Sequence, residues 1–225
     1  MDRPNNRSAL ARRHFVAGLA GASLAPLSAL GQTSGGSRPS PAQTLGPFYP
    51  RNDLERPENT DADLLTVDGD RVLSKGVPIF LVGRVVDRRG QPVASAMVEI
   101  WQCDANAVYH HPDGGAVSER DPAFQGYGVD RTDAGGEFRF RTIQPVAYPG
   151  RTPHIHVRIQ PASGRALATQ LYLRDAPGNE RDFLFRRLSV EEQQALLLIM
   201  EPTRNATHPL SRATRYTART ELVLA

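Results

Sequence analysis

The feature that most constrains the fold of this 225-residue chain is a series of short β-strand patterns separated by turn-forming residues. Residues 79–86 form an apolar run, RRGQ at 88–91 supplies a turn, and residues 93–101 follow with apolar side chains at alternate positions. This arrangement predicts a β-hairpin. A second hairpin signal is DAGG at 133–136, which leads into the alternating pattern of residues 137–143. Further strands are predicted at residues 154–160, 168–173 and 221–224.

One helix is predicted near the C-terminus. Ser189 and Glu192 form a capping-box pattern, residues 190–200 have an apolar-biased helical run, and Pro202 ends it. Short strands, frequent turns and one late helix predict a mainly β protein, a β-sandwich with helical decoration. The long loop predicted at residues 104–131 contains aromatic residues and two histidines, so we expect it to be packed rather than disordered.

The N-terminus has the pattern of a twin-arginine secretion signal. Arg12 and Arg13 precede an apolar run, residues 15–30, that is rich in Ala, Gly and Leu. A short membrane anchor is the alternative, but the run contains Pro26 and is too short for a spanning helix. We therefore expect a cleaved signal and a periplasmic or secreted protein that is not bound to a membrane. The predicted organisation is a signal peptide at residues 1–31, a flexible linker at 32–43 and a folded domain at 44–225.

Removal of the signal changes the charge of the chain. The full chain carries a net charge of +3, and residues 1–31 contain four arginines and one aspartate, so the mature protein is neutral. A basic surface for binding nucleic acid is therefore not expected. Cys103 is the only cysteine, which excludes an internal disulfide framework in an exported protein. The apolar core, together with any bound metal, must stabilise the fold.

The strand predicted at residues 154–160 carries two histidines with one residue between them. Side chains at i and i+2 of a strand face the same side, roughly 6.5–7 Å apart, so His154 and His156 can converge on one metal ion. Ile155 and Val157 then face the core. Imidazole binds Zn, Cu, Ni and Fe, so the motif indicates a metal site without selecting the metal.

The candidate anions near this motif are tyrosines rather than carboxylates. The other histidines are His14, His110, His111 and His208, and no nucleophile elbow, P-loop, HExxH or CxxC motif competes for the function. A phenol titrates at about pH 10 and is a poor ligand for a divalent ion, whereas a trivalent ion such as Fe(III) can stabilise the phenolate. Two tyrosinates and two neutral imidazoles would leave one net positive charge on Fe(III), with room for a hydroxide or an anionic substrate.

Five segments of the chain together resemble a known enzyme family. They are TLGPFYP (44–50), GRVVDRRGQPVASAMVEIWQCDANAVYHH (83–111), FQGYGVDRTDAGGEFRFRTIQP (124–145), YPGRTPHIHV (148–157) and TQLYL (169–173). In this order they are similar to the intradiol ring-cleavage dioxygenases, especially those of the protocatechuate 3,4-dioxygenase type. The resemblance extends over residues 44–225 and implies a catalytic domain with a transthyretin-like β-sandwich, long active-site loops and non-haem Fe(III). It also implies that a catechol-type diol and O2 are the substrates, and that intradiol cleavage gives a cis,cis-muconate in the catabolism of aromatic compounds.

The resemblance also implies roles for individual residues. Matched by motif position, the iron ligands are Tyr109, Tyr148, His154 and His156. Tyr148 is the ligand that the family releases when substrate binds. Arg151 matches an arginine that lines the active site, stabilises developing negative charge and orients the ring, and Gln170 matches a glutamine near substrate and iron. A surface ion pair for Arg151 and an ordinary strand position for Gln170 are the alternatives.

Two features depart from the well-known members of the family. Only PGRTP separates Tyr148 from His154, so residues that line the family's substrate pocket have no counterpart here. The sequence therefore does not determine which diol is the substrate. No counterpart of the helical dimerisation domain of catechol dioxygenases is expected. The sequence does not determine whether the protein forms a homo-oligomer or a hetero-oligomer. Two other functions remain alternatives. One is a secreted, noncatalytic transthyretin-like binding module, and the other is a copper or zinc site in which His110 or His111 joins His154 and His156.

Overall fold

The computed structural model describes residues 36–52, 55–56, 60–67, 74–204 and 206–225. The predicted signal peptide at residues 1–31 lies outside these described residues. Ser34–Ala225 form one compact unit. Within the described ranges, no helix has the length and apolar character needed to cross a bilayer. The secondary structure of these ranges is β1 (Pro78–Val86), β2 (Met97–Trp101), β3 (Tyr127–Arg131), β4 (Glu137–Ile143), β5 (His154–Gln160), β6 (Leu167–Leu173), α1 (Val190–Ala195), β7 (Leu197–Pro202) and β8 (Tyr216–Val223), with four short 3-10 turns.

The strands form two four-stranded groups that meet where β6 pairs with β7. The hydrogen-bonded order is β3-β2-β5-β6-β7-β8-β1-β4. The parallel pairing of β6 with β7 is short, Tyr172 with Leu197 and Leu173 with Leu198, whereas β7 runs antiparallel to β8 over four positions. Both groups contribute buried apolar side chains to a single core cluster. This mainly β sandwich confirms the predicted fold class.

Strand β5 separates the core from the face that carries the histidines. Ile155, Val157 and Ile159 are fully buried in the core cluster. His154 and His156 alternate with them and lie on the opposite face, where they contact other aromatic rings. Burying one such aliphatic side chain contributes roughly 1.5–3 kcal/mol. The three apolar residues therefore fix the register, because a slip by one position would place the imidazoles in the core.

A close approach between β1 and β4 depends on a glycine. Gly83 is paired with Phe138 in the antiparallel ladder, and a Cβ atom added at Gly83 would lie 2.1 Å from Phe138 Cζ. The Phe138 ring is fully buried and packs edge-on against Phe140. The phenyl ring of Phe138 therefore fills the space that a side chain at residue 83 would occupy.

The helix predicted at residues 190–200 is correct only in its first half. Its capping box is present, because Ser189 Oγ accepts from Glu192 N at 3.3 Å and Ser189 N donates to Glu192 Oε2 at 2.8 Å. The helix ends at Ala195, and Leu197–Pro202 form β7 instead. The apolar run fits either structure by composition, and pairing with β6 and β8 selects the strand.

The two predicted hairpins are wrong. β1 pairs with β4 and β8, and β2 pairs with β3 and β5. Residues 79–86 and the segment from residue 92 are joined only beside the turn, by the isolated bridge of Val86 with Pro92 and by a hydrogen bond from Val93 N to the Val85 carbonyl oxygen. The chain departs from strand conformation at Ser95, whose φ is 58°, and β2 begins only at Met97. The turn at 133–136 connects β3 to β4, which lie at opposite ends of the strand order. Both turns exist, but they pass the chain from one group of strands to the other.

The long loop predicted at residues 104–131 is shorter than expected. Its last five residues form β3, which the sequence did not reveal because Gly128 and Asp130 have low strand propensity. Before β3, Asp104 accepts hydrogen bonds from Val108 N at 3.1 Å and Asp121 N at 2.7 Å. The loop is thus held together from within, and its aromatic side chains pack as expected.

The N-terminal segment contacts the sheets before the predicted start of the domain at residue 44. Ser40 N donates to the Val223 carbonyl oxygen at 2.9 Å, and Gln43 N donates to the Ala168 carbonyl oxygen at 2.8 Å. These bonds attach part of the predicted linker to β8 and β6. The folded unit therefore includes residues that the composition assigned to a linker.

Candidate metal centre

The two histidines lie on β5 between its neighbours β2 and β6. His156 is opposite Trp101 on β2 and Gln170 on β6, and His154 is opposite Tyr172 on β6. All five side chains are buried. Ladder hydrogen bonds on both sides of β5 therefore hold the histidine backbone in place.

The two imidazoles converge through their Nε2 atoms. His154 Nδ1 lies 2.7 Å from the Thr152 carbonyl oxygen, so Nδ1 donates and Nε2 carries the lone pair. His156 Nε2 is 3.2 Å from His154 Nε2. Two nitrogens at about 2.1 Å from one ion have this separation when they subtend roughly 100° at the ion. The spacing therefore fits two ligands of one metal, and without a metal it also fits a hydrogen bond between the two rings.

Both imidazoles are held in the neutral form. Burial, with a smaller contribution from the Arg151 guanidinium, lowers the pKa of His154 to about 4. Burial and the neighbouring His154 lower the pKa of His156 well below its ordinary value. The His156 ring stacks on Trp101 at 4.8 Å with 10° between the planes, and its buried Nδ1 has no hydrogen-bond partner in the described part of the chain. Stacking thus orients this ring, and neutral imidazole is the form that binds a metal.

Tyr109 reaches the site from the loop after β2. Its ring lies edge-on to His156, with centroids 6.2 Å apart. Its hydroxyl is buried and makes no hydrogen bond of normal length and angle to any described residue, although the Tyr148 side chain is near enough to raise its pKa. Leaving a buried hydroxyl unpaired costs about 1–3 kcal/mol. The Tyr109 oxygen is therefore placed where a metal ion would give it a partner.

Tyr148 reaches the site from a tight turn before β5. Arg151 N donates to the Tyr148 carbonyl oxygen at 2.9 Å, and between them are Pro149 and Gly150, the latter with a φ of 82°. Proline followed by a glycine with positive φ is the sequence of a type II turn. The Tyr148 ring is half-buried, 5.6 Å from the His154 ring. It is the most exposed of the four predicted ligands.

The four predicted ligands form a closed group of rings. Centroid distances are 4.8 Å between the imidazoles, 5.6 Å from His154 to Tyr148, 5.6 Å from Tyr148 to Tyr109 and 6.2 Å from Tyr109 to His156. Burial raises the pKa of both tyrosines, that of Tyr109 well above its ordinary value. Such phenols ionise only beside a strong positive charge. The donor set therefore fits a trivalent ion such as Fe(III).

The zinc or copper alternative lacks its third histidine. His110 Nε2 lies 3.3 Å from Asp104 Oδ2, and His111 Nε2 lies 3.5 Å from Glu55 Oε2, so both imidazoles face carboxylates. Among the residues that the structure describes, no three His, Cys, Asp or Glu side chains are grouped to hold a metal ion. A site with a third histidine is thus not formed, and the donors beside the histidine pair are phenols.

Arg151 extends from the turn into the site. Its Nε donates to Asp182 Oδ2 at 2.8 Å, one terminal nitrogen to Tyr148 OH at 3.4 Å and the other to Gln170 Oε1 at 2.5 Å. The Arg151 side chain is 9% exposed and that of Asp182 is 0% exposed, so the ion pair is buried and not a surface pair. Phe183 covers the guanidinium, with its ring centroid 5.5 Å from Cζ. Arg151 and Gln170 thus lie beside the four rings.

Sequence reasoning missed Asp182 and the contacts of the N-terminal segment. Asp182 lies in a polar, arginine-containing stretch with no motif, so no signal in the sequence pointed to it. Phe48 stacks on Tyr109 at 4.3 Å, and TLGPFYP was noticed only as part of the resemblance. A cavity of about 370 Å³ adjoins Arg151 and is also lined by Gly150, Thr152, Arg181 and Asp182, among others. Arg151 lines this cavity, whereas none of the four predicted ligands does.

Comparison with known proteins identifies the family. The family model described as Dioxygenase matches residues 45–217. The protocatechuate 3,4-dioxygenase beta chain of Burkholderia cepacia is 39% identical over 119 residues, which cover 49% of this chain and 51% of the relative. The hydroxyquinol 1,2-dioxygenase of Corynebacterium glutamicum is 28% identical over 155 residues, 60% of this chain and 46% of the relative. The chain spans about half the length of these curated relatives.

Solved structures share the fold. The dioxygenase domain of a dioxygenase carbohydrate-binding protein fusion from Streptomyces sp. SirexAA-E is 29% identical with a TM-score of 0.61, and the match covers 83% of this chain and 98% of that domain. An intradiol ring-cleavage dioxygenase from Tetranychus urticae has a TM-score of 0.62 at 23% identity, over 83% of this chain and 94% of its own. With the family match over residues 45–217, these similarities show that the chain belongs to the intradiol ring-cleavage dioxygenase family.

Proposed function

We propose that this protein is a non-haem Fe(III) dioxygenase that cleaves catechol-type diols between their two hydroxyl-bearing carbons to give a cis,cis-muconate. One observation carries the proposal: two neutral histidines converge at 3.2 Å, beside a buried tyrosine hydroxyl that has no partner among the described residues. Tyr109, Tyr148, His154 and His156 would hold the metal. Bound there, Fe(III) would lower the pKa of the phenols and draw electron density from a chelated catecholate, which makes its ring reactive towards O2.

The chain's own residues bind the diol and move its protons. Tyr148 is half-buried and lies on a turn, so its phenol can leave the site with little change elsewhere. Its oxygen, 3.4 Å from the Arg151 guanidinium, can then accept a proton from a substrate hydroxyl. Gln170 and Asp182 hold the guanidinium from two sides. This arrangement keeps a fixed positive charge where the reacting ring becomes negative.

The substrate class is supported by the names of the relatives and by the space beside Arg151. The relatives act on protocatechuate, catechol or hydroxyquinol by name. Only five residues separate Tyr148 from His154, and a cavity of about 370 Å³ adjoins Arg151. We therefore propose a catechol-type diol as substrate. Assays with protocatechuate, catechol and hydroxyquinol would show which of the three is cleaved.

The test combines colour with oxygen uptake. The chain loaded with iron should show the red-brown charge-transfer band of an Fe(III) tyrosinate and consume O2 with at least one of the three diols. Tyr148→Phe should alter the band and slow O2 uptake, whereas Tyr216→Phe on β8, away from the site, should change neither. A colourless iron-loaded protein without O2 uptake would show a noncatalytic binding module instead.

We also propose export by the twin-arginine route, on the basis of Arg12, Arg13 and the apolar run after them. The mature protein should then appear in the periplasm or medium with its N-terminus near residue 32. Replacing both arginines by lysine should retain the precursor in the cytoplasm. Export of the lysine variant at the normal rate would exclude this route.

A further inference from the structure

Residues 36–49, which we name the strap, run across the sheets to the metal centre. Gln43 anchors the strap on one side of the centre, because its side-chain oxygen accepts from the Tyr172 hydroxyl at 3.0 Å. Tyr49 anchors it on the other side, where its hydroxyl donates to Glu99 Oε1 at 3.0 Å. The residues between these anchors are held over the site.

The middle of the strap contacts two of the four predicted ligands. Gly46 has a φ of 76°, and a Cβ atom added there would lie 3.2 Å from His156 Cε1. The Phe48 ring stacks on Tyr109 with centroids 4.3 Å apart and 23° between the planes. The backbone at Gly46 therefore limits rotation of the His156 ring, and the Phe48 ring limits rotation of the Tyr109 ring.

The anchor at Tyr49 uses a fully buried carboxylate. Glu99 Oε1 accepts from Tyr49 OH at 3.0 Å and from Tyr127 OH at 2.6 Å, and Glu99 Oε2 pairs with Arg158 at 2.5 Å. Replacing a buried ion pair by apolar residues is often neutral or stabilising, so stability alone gives little reason for a charge here. A charged acceptor does give a strong and directional hydrogen bond. It holds the Tyr49 hydroxyl at one place.

We propose that Tyr49 is a positioning residue for the metal centre: held by Glu99, it keeps the strap against His156 and Tyr109 and so fixes the orientation of both ligands. The Tyr49 ring also packs edge-on against Trp101 at 4.9 Å, and Trp101 stacks on His156. Tyr49 thus acts on the centre both through the strap and through this indole. The inference rests on the proposed function, since it concerns ligands of the same metal.

Tyr127 provides a matched control. Its hydroxyl donates to the same carboxylate oxygen as that of Tyr49, and its ring is likewise buried. It belongs to β3, however, and not to the strap. Tyr49→Phe and Tyr127→Phe each remove one hydroxyl from Glu99 and keep the ring. A merely structural role predicts the same consequences for both variants.

The first measurement is hydrogen exchange in the full-length chain without iron. We expect peptides that contain Gln43 and Gly46 to exchange about tenfold faster in Tyr49→Phe than in the wild type, a factor equal to about 1.4 kcal/mol of opening free energy. In Tyr127→Phe these peptides should exchange at the wild-type rate. Equal exchange in the two variants would overturn the proposal, because the hydroxyl would then not hold the strap.

The second measurement is iron retention, followed by the visible band during competition with a chelator. Tyr49→Phe should release iron at least about threefold faster and shift the band, whereas Tyr127→Phe should match the wild type. Faster exchange of the strap with unchanged iron release would overturn the positioning role, even though the anchor exists. A wild-type protein without the band would refute the proposed function and this inference together, whereas a normal wild-type band with two identical variants would refute the inference alone.

Discussion

Asp182 should be a major determinant of stability, because it is the buried partner of Arg151. Its Oδ2 accepts from Arg151 Nε at 2.8 Å and from Thr152 N at 3.0 Å, whereas its Oδ1 accepts from the amides of Leu184 and Phe185. Asp182→Asn keeps an oxygen for the last two donors. Its NH2 group would face the first two, so the guanidinium would lose its counter-ion and meet another donor.

The magnitude follows from the burial of both partners. Breaking a buried ion pair by removing one charge costs about 3–5 kcal/mol. Because two of the four hydrogen bonds survive in the asparagine variant, we expect the lower end, about 3 kcal/mol. For a domain of this size that loss lowers Tm by roughly 6–12 °C. Urea denaturation of the metal-free protein measures it, with Glu221→Gln as the control, because the Arg84–Glu221 pair is exposed and 3.9 Å apart.

The stability difference between the wild type and Asp182→Asn should depend on pH. Burial alone would raise the pKa of Asp182, but hydrogen bonds from Phe185 N, from Arg151 and from Thr152 N lower it below its ordinary value. A depressed folded-state pKa contributes stability above the unfolded pKa of about 3.9, and this contribution is lost as the pH falls through the folded value. The difference between wild type and Asp182→Asn should be full at pH 6 and shrink below about pH 4. A difference of less than about 1 kcal/mol at pH 6, or one that grows on acidification, would refute the reasoning.

Two further substitutions test the packing of the centre and of the core. Tyr109→Phe removes a buried hydroxyl that has no hydrogen-bond partner among the described residues, so the metal-free protein should keep its stability or gain up to about 1 kcal/mol in urea denaturation. The visible band of the iron-loaded protein should shift and weaken, because Tyr148 would then be the one remaining tyrosinate ligand. A large loss of stability without iron would mean that the hydroxyl has a protein partner. Gly83→Ala should destabilise the protein by about 1–3 kcal/mol, because the new methyl group displaces the Phe138 ring. Recovery of that loss in Gly83→Ala combined with Phe138→Leu would confirm the cause.

The arrangement of the two histidines in the candidate centre was predictable because it depends on local geometry. Strand alternation alone placed His154 and His156 on one face and Ile155 and Val157 in the core, and the structure has this arrangement. The position of Tyr109 beside them needed the family resemblance, since a loop tyrosine has no period to read. Spacing along the chain is therefore sufficient for ligands on one strand and insufficient for ligands on separate loops.

The features that the sequence did not predict depend on contacts between residues that are far apart in the chain. Residues 197–202 have the composition of a helix or a strand, and only their neighbours β6 and β8 decide between the two. Asp182 gains its importance from Arg151, which lies 31 residues earlier in the chain. Tyr49 and Glu99 are 50 residues apart. Such partners meet only in the folded chain, so no local pattern announces them.

The turn at residues 148–151 lies outside the strand pairing that holds the two histidines, so the residues that shape a substrate pocket and those that fix the imidazoles are separate. The histidines after it are fixed by pairing with β2 and β6, whereas a Cβ atom added at Gly150 would meet nothing within 4 Å. A longer segment between Gly150 and His154 could therefore rebuild the wall around a substrate without moving the imidazoles, whereas a side chain at Gly150 itself would be strained by its φ of 82°. Substrate range in such a protein can change over evolution, or by engineering, while the positions of the two histidines are inherited intact.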